Sequence, residues 1–188
     1  MSFSLCHGRF QGQRLKSKPS KSMRPTKVQD REAVYNMLLH NNYFEDWSNL
    51  TVLDLFAGTG ALGMEALSLG VKIVDFVEVD RKAMAVIKEN LGCLKTEKNQ
   101  RYNCFITKNY LKTCSTQYDL IFCDPPFAKN HLKNVGQFLE ARHLNAQGLV
   151  VVETQNIDKH KEELNLSFLE LVKEAPKGGS LFLFYRKI

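Results

Sequence analysis

The chain has 188 residues, 44% of them hydrophobic and 24% charged, which is the balance of one globular domain with at most a small appendage. That mixture excludes collagen-like, coiled-coil and wholly disordered chains, and no apolar run approaches the roughly 20 residues of a membrane-spanning helix. The net charge of +6 is unevenly placed: the first 31 residues carry eight bases against one acid, whereas the remainder holds 18 bases and 19 acids. Such a basic segment neutralises phosphates, with an affinity that depends on salt and not on base sequence. A solvated basic tail is the plain alternative. Cys6, His7 and Arg9 interrupt what would be a secretory apolar core, so a cytoplasmic protein is expected. Five cysteines, none in a C-x-x-C pair, read as reduced and mostly buried thiols; with the histidines scattered, no metal site is expected.

In chain order, Gly8 and Gly12 with Phe10 and Leu15 between charges suggest a small hairpin within a basic extension, residues 1–25. A main domain, residues 26–188, follows. Its first helix starts near Lys27, with Thr26 as cap and Gln29 completing a capping box. Val28, Val34, Tyr35, Leu38 and Leu39 form the apolar face, and Asn41 and Asn42 end it. Residues 51–56 read as a strand, and a glycine-rich turn at 58–63 opens a helix that stops at Gly70. A second strand spans 73–77 and ends at Glu78; Asp80 then caps a helix through Leu94. Strands are predicted at 102–107 and 118–123, a helix at 129–142, and strands at 149–153, 168–172 and 181–186. Strands alternating with helices predict a parallel sheet covered on both faces, closed by an antiparallel hairpin across Gly178-Gly179.

Gly58-Thr59-Gly60-Ala61-Leu62-Gly63 matches G-x-G-x-x-G after a strand and at the head of a helix. This pattern suits a nucleotide at the helix N-terminus, and it also suits tight packing of strand on helix. Glu78, at the end of the next strand, is placed to take two ribose hydroxyls. Asp54 favours one nucleotide class over another. A carboxylate four residues before the first glycine repels a pyrophosphate but suits an ammonium or sulfonium.

Asp124-Pro125-Pro126-Phe127 follows the apolar run 120–123, so it opens on the crevice at the carboxyl ends of the strands. The two prolines stiffen the presentation of Asp124 and of the Pro125 carbonyl. Two acceptors beside an aromatic ring make a receptor for the exocyclic amine of a flat base, with Phe127 stacking on it. Hydrogen bonds from that amine to Asp124 favour pyramidalisation and stabilise the charge growing on nitrogen. A proline-rich turn capped by Asp is the alternative.

The segment from Asp54 to Gly60, including Phe56 and Ala57, resembles motif I of the class I S-adenosylmethionine-dependent methyltransferases. The Asp-Pro-Pro-Phe turn resembles the motif of methyltransferases that modify exocyclic or amide nitrogens. Preceded by Gly8-Arg9-Phe10-Gln11-Gly12-Gln13-Arg14-Leu15, Arg24-Pro25-Thr26 and Arg31 to Leu38, these motifs resemble the RsmD family over nearly the whole chain. That family methylates the guanine N2 of 16S rRNA in bacteria. The resemblance implies a Rossmann-like, seven-stranded, mostly parallel sheet with helices on both faces and a C-terminal antiparallel hairpin whose last strand lies between its neighbours. It implies S-adenosylmethionine as cofactor, held by Asp54, Phe56, Ala57, Gly58, Gly60 and Glu78, with Arg24 and Thr26 near its methionine end and Asn109 at the adenine. It implies rRNA contact through the basic segment, with Arg9, Arg14, Lys16, Lys18 and Lys21, and a small-subunit particle as substrate; a monomer is expected.

Three other readings stay open. An adenine-N6 methyltransferase on RNA or DNA would use the same pocket, although 188 residues leave little room for a DNA-recognition domain. A nucleotide-dependent oxidoreductase has only the glycine spacing in its favour. A non-catalytic RNA-binding module would keep the basic segment and a vestigial pocket.

Overall fold

The computed structural model describes residues 2–17, 28–96, 100–105, 109–125, 139–154, 167–177 and 180–188, and nine strands and four α-helices lie among these described residues. Pro126, Phe127, Arg24, Thr26, Lys18 and Lys21, the Gly178-Gly179 turn and most of the helix expected at 129–142 lie outside these residues.

The central strands are short apolar runs flanked by turn residues. They are β3 (Thr51–Leu55), β4 (Ile73–Val77), β5 (Arg101–Phe105), β6 (Tyr118–Cys123) and β7 (Leu144–Thr154). With β8 (Leu169–Lys177) and β9 (Ser180–Lys187) they form a seven-stranded sheet of order β5-β4-β3-β6-β7-β9-β8. All pairings are parallel except those of β9, which runs antiparallel between β7 and β8. From β3 the chain builds outward to β5, then returns to β6 on the other side. The switch point, where open α/β sheets bind ligands, therefore lies between β3 and β6.

Alternation along the strands divides the core into two layers. On one face α1 (Val28–His40), α2 (Ala61–Ser68) and α3 (Arg81–Cys93) cover Val52, Val74, Phe76, Leu120, Phe122 and Val151. On the other, the short α4 (Tyr110–Thr113) covers Leu53, Leu55, Val77 and Ile121. Below α4, buried Asp75 accepts hydrogen bonds from the hydroxyls of Tyr118 (2.6 Å) and Tyr110 (2.9 Å) and from the Asn103 amide (2.7 Å).

β1 (Ser2–Ser4) and β2 (Arg14–Lys16) pair as an antiparallel hairpin, and its Phe3, Leu5 and Leu15 join the same core layer as α1 to α3. Gly8 makes the close approach possible: with φ at +73°, a Cβ there would lie 2.0 Å from the Ser68 carbonyl oxygen. Arg31, counted above with the basic segment, belongs instead to the interior. Its Nε donates to Glu65 Oε1 at 2.8 Å, and both side chains are at most 1% exposed. Glu65 also accepts the backbone N–H groups of Cys6 (2.8 Å) and His7 (3.1 Å), so one buried carboxylate ties hairpin, α1 and α2 together.

Several boundaries differ from expectation. The helix expected to reach residue 142 does not: Leu139 and Glu140 are irregular and Ala141–His143 form a 3-10 turn, capped by the backbone N–H of Leu144. β7 begins at Leu144 rather than 149, because a left-handed Gln147 (φ +62°) and a register shift carry the strand through a polar stretch. β8 continues past residue 172 to Lys177 as an edge strand, where charged residues and Pro176 are tolerated. Of the thiols, Cys114 and Cys123 are buried, Cys6 and Cys104 half-buried and Cys93 exposed.

Candidate active site

β3 delivers Asp54 toward the α2 face and then turns sharply. Phe56 holds φ at +66°, an unusual conformation for a bulky residue, followed by Gly58 at +57° and Gly60 at +76°. The turn is pinned by Ala57 N–H donating to the Val77 carbonyl (2.9 Å) and Gly60 N–H donating to the Ala57 carbonyl (2.7 Å). Gly63, in the first turn of α2, has a packing role: a Cβ would lie 2.4 Å from Cε1 of Phe76 on β4. The head of α2 can therefore sit directly on the sheet.

Asp54 is buried, and its Oδ2 accepts the Gly63 N–H at 2.9 Å. Burial pushes its carboxyl up to about 7, with the Gly63 bond opposing and the charge of Glu78 adding to the rise. A cation bound beside Asp54 would favour its ionised form. Glu78, half-buried at the end of β4, is fixed by backbone: Oε2 accepts from Gly58 (2.8 Å), and Oε1 from Val79 (2.7 Å) and Asp80 (2.9 Å). It is thus an oriented carboxylate joined to the glycine turn. A turn of left-handed residues, an anchored acceptor and a second, reluctant carboxylate fit a nucleoside with a cationic substituent, which Gly58, Gly60, Glu78 and Asp54 could hold.

Asp124 leaves the end of β6, half-buried, and Pro125 is buried behind it. Because Leu55 pairs with Cys123 on one side and Val77 on the other, Glu78, Phe56 and Asp124 follow the ends of three adjacent strands. Neighbouring strands lie about 4.8 Å apart, so the backbones of Glu78 and Asp124 stand on either side of the turn, of order 10 Å apart. Burial, and secondarily the Asp124 charge, pushes the Cys123 thiol well above its ordinary range, so it stays protonated.

The structure therefore gathers Asp54, Phe56, Ala57, Gly58, Gly60, Glu78 and Asp124 around one crevice. Asn109 stands exposed at the head of α4 beyond β5. Arg9, Arg14 and Lys16 lie on the hairpin, away from the crevice. The Arg9 guanidinium donates to the Lys95 carbonyl, the Lys16 ammonium pairs with Glu89, and Lys16 N–H donates to Asn90 Oδ1 at 2.8 Å. Sequence reasoning missed Phe105, whose carbonyl accepts the Glu78 N–H (3.0 Å) and whose ring packs on Tyr110 at 4.6 Å. Its signal was its place one strand outward from Glu78. Among the described residues no cluster could hold a metal ion, and no helix is long and apolar enough to cross a membrane.

Comparison with known proteins agrees with this geometry. Residues 4–186 match the family model described as Conserved hypothetical protein 95. Ribosomal RNA small subunit methyltransferase D of Haemophilus influenzae is 31% identical over 183 residues, covering 95% of this chain and 91% of its own. The Escherichia coli K12 protein of the same name is 32% identical over 149 residues, covering 79% of this chain and 72% of its own. Among solved structures, the Escherichia coli candidate methyltransferase yhhF superposes with a TM-score of 0.77 at 27% identity, covering 100% of this chain and 98% of its own. The crevice between β3 and β6 is that of a class I methyltransferase fold, and the chain belongs to the RsmD family of rRNA methyltransferases.

Proposed function

We propose that the protein transfers a methyl group from S-adenosylmethionine to the exocyclic N2 amine of a guanine in 16S rRNA, within a small-subunit particle. The observation that carries this is the convergence of Asp54, Glu78 and Asp124 on the ends of three adjacent strands at the switch point. The rRNA methyltransferases among the relatives support the substrate class. When bound, S-adenosylmethionine supplies an electrophilic methyl on a sulfonium.

The remaining work falls to the chain. Glu78, immobilised by three backbone donors, accepts the ribose hydroxyls without reorganising. Asp54 offers negative charge toward the methionine end, and the left-handed turn at Phe56 and Gly58 brings backbone close to the ligand. The family resemblance assigns Asn109 to the adenine and Arg24 and Thr26 to the methionine end. Asp124 and the Pro125 carbonyl accept the two amine hydrogens, and Phe127 stacks on the base. An exocyclic amine is a poor nucleophile because its lone pair is delocalised into the ring. Holding both hydrogens out of the ring plane releases that lone pair, and the Asp124 carboxylate stabilises the positive charge growing on nitrogen.

The test is transfer of labelled methyl to small ribosomal subunits from a strain lacking the endogenous activity, with digestion to nucleosides and Asp124→Ala in parallel. Label in N2-methylguanosine from the wild type alone supports the reading. Label in N6-methyladenosine would keep the mechanism and replace the base, and no label with intact cofactor binding would sink it.

A further inference from the structure

The exposed face of α3 and the edge strand β5 form a basic surface with an aromatic groove at its centre. On α3, Arg81 and Lys88 are exposed and two turns apart, with only Ala85 exposed between them on that face. Lys82 lies beside them, and Lys72, Lys95 and Arg101 are exposed at the adjoining loop, helix end and strand. None of these six cations has an ion-pair partner among the described residues. The one acid of α3, Glu89, is neutralised by Lys16 of the hairpin. Between α3 and β5 opens a groove of about 480 Å³ lined by Lys88, Tyr102, Asn103, Cys104 and Phe105. Tyr102 is 40% exposed, large for an aromatic residue with no catalytic role assigned. The Asn103 amide is already committed to Asp75, which leaves the Lys88 ammonium and the Tyr102 ring to meet a ligand.

An aromatic face beside an unpaired cation, on a surface rich in lysine and arginine, is the arrangement that receives single-stranded nucleic acid by stacking and phosphate neutralisation. We propose that this groove binds a single-stranded nucleotide of the RNA substrate outside the target base, its base on Tyr102 and its phosphate at Lys88. The proposal rests on the RNA reading above and adds a second contact to it. Tyr102 stands three residues before the carboxyl end of β5, about 10 Å back along the strand, which sets it behind the crevice where Glu78 is anchored. From the groove, Arg81 continues the positive track toward the N-terminal end of α3, and Lys95 continues it past the C-terminal end.

The test uses the full chain and a fluorescently labelled oligouridylate, with binding read by anisotropy across a salt series. Lys88→Gln should reduce the slope of log affinity against log salt by about 1. Tyr102→Leu should weaken binding roughly 5- to 150-fold, whereas Tyr102→Phe retains it. Affinity for S-adenosylmethionine and thermal midpoint should not change in any of the three. Wild-type protein that fails to bind, or variants that match it, would overturn the groove, and so would a loss confined to S-adenosylmethionine affinity. Methyl transfer to small subunits separates the two readings. Activity with RNA KM unchanged in Lys88→Gln removes the groove alone. RNA binding that depends on Lys88 and Tyr102 in a chain inactive on every subunit preparation removes the methyltransferase reading alone.

Discussion

Glu78 Oε2 accepts the Gly58 N–H at 2.8 Å, which couples the end of β4 to the glycine turn after β3. The same carboxylate proposed to read the ribose therefore also shapes the turn against which the nucleoside lies. Glu78→Ala should weaken S-adenosylmethionine binding by about 10- to 100-fold, the scale of one to two hydrogen bonds to a charged group. Glu78→Gln, which keeps an acceptor oxygen, should lose less. Isothermal titration of both variants checks this, and equal affinities in all three proteins would remove Glu78 from the site.

Asp54 makes cofactor binding depend on pH. Its folded carboxyl titrates near 7, above the ordinary 3.8, so the folded protein binds more protons than the unfolded chain between those values. This group therefore favours folding most at low pH, and that contribution is lost as pH rises through about 7. A cationic ligand reverses the preference, since it interacts best with the ionised form. Affinity for S-adenosylmethionine should fall as pH drops from 8 to 6, and Asp54→Asn should bind weakly with that dependence flattened. A wild-type affinity independent of pH across this range would contradict the assignment.

Asp124→Asn keeps an acceptor oxygen but removes the charge. It should lower kcat by about 10²- to 10³-fold, the usual cost of one electrostatic contact to a developing charge. Affinity for S-adenosylmethionine and KM for the RNA should remain near wild type. Steady-state kinetics on small subunits would read the split, and an unchanged kcat would place the chemistry elsewhere.

Gly63→Ala should destabilise the fold. The new methyl would meet the Phe76 ring at 2.4 Å, and both groups lie where α2 packs directly on β4. Overpacking of this kind costs about 1–3 kcal/mol. Urea unfolding should show the loss of midpoint, and cofactor affinity should fall with it because Gly63 also donates to Asp54.

Arg31→Met should cost about 3–5 kcal/mol, since it strands the buried Glu65 carboxylate without its cation. Arg31→Lys should not rescue it fully. A single ammonium cannot span Glu65 and the Ser4 carbonyl as the guanidinium does. Limited proteolysis would report early cleavage in the hairpin segment of either variant.

Local pattern made the strands β4 and β6 readable to the residue, because each is an apolar run of strand length flanked by turn residues. The same holds for the Asp80 cap of α3, where an Asp precedes a helical apolar period and its side chain does accept the Lys82 N–H at 2.8 Å. Edge elements were harder. Beyond its expected end β8 runs through Lys173, Glu174 and Pro176, which hide any strand pattern, and β7 crosses a left-handed residue that breaks its own. The four-residue α4 is too short to show a period at all.

Spacing along the chain was enough to nominate Asp54, Glu78 and Asp124, since each carboxylate closes or ends an apolar strand and parallel strands share one functional edge. Their union depends on registers that pair Leu55 with both Val77 and Cys123, and pairing between strands remote in sequence leaves no local trace. The fate of Arg31 shows the same division. In sequence it is one of eight bases in a positive segment; in the fold it is a core cation, because Glu65, 34 residues away, is brought against it when α1 and the hairpin close over α2. Charge can be counted from composition, but whether a charge faces solvent or a partner depends on long-range packing.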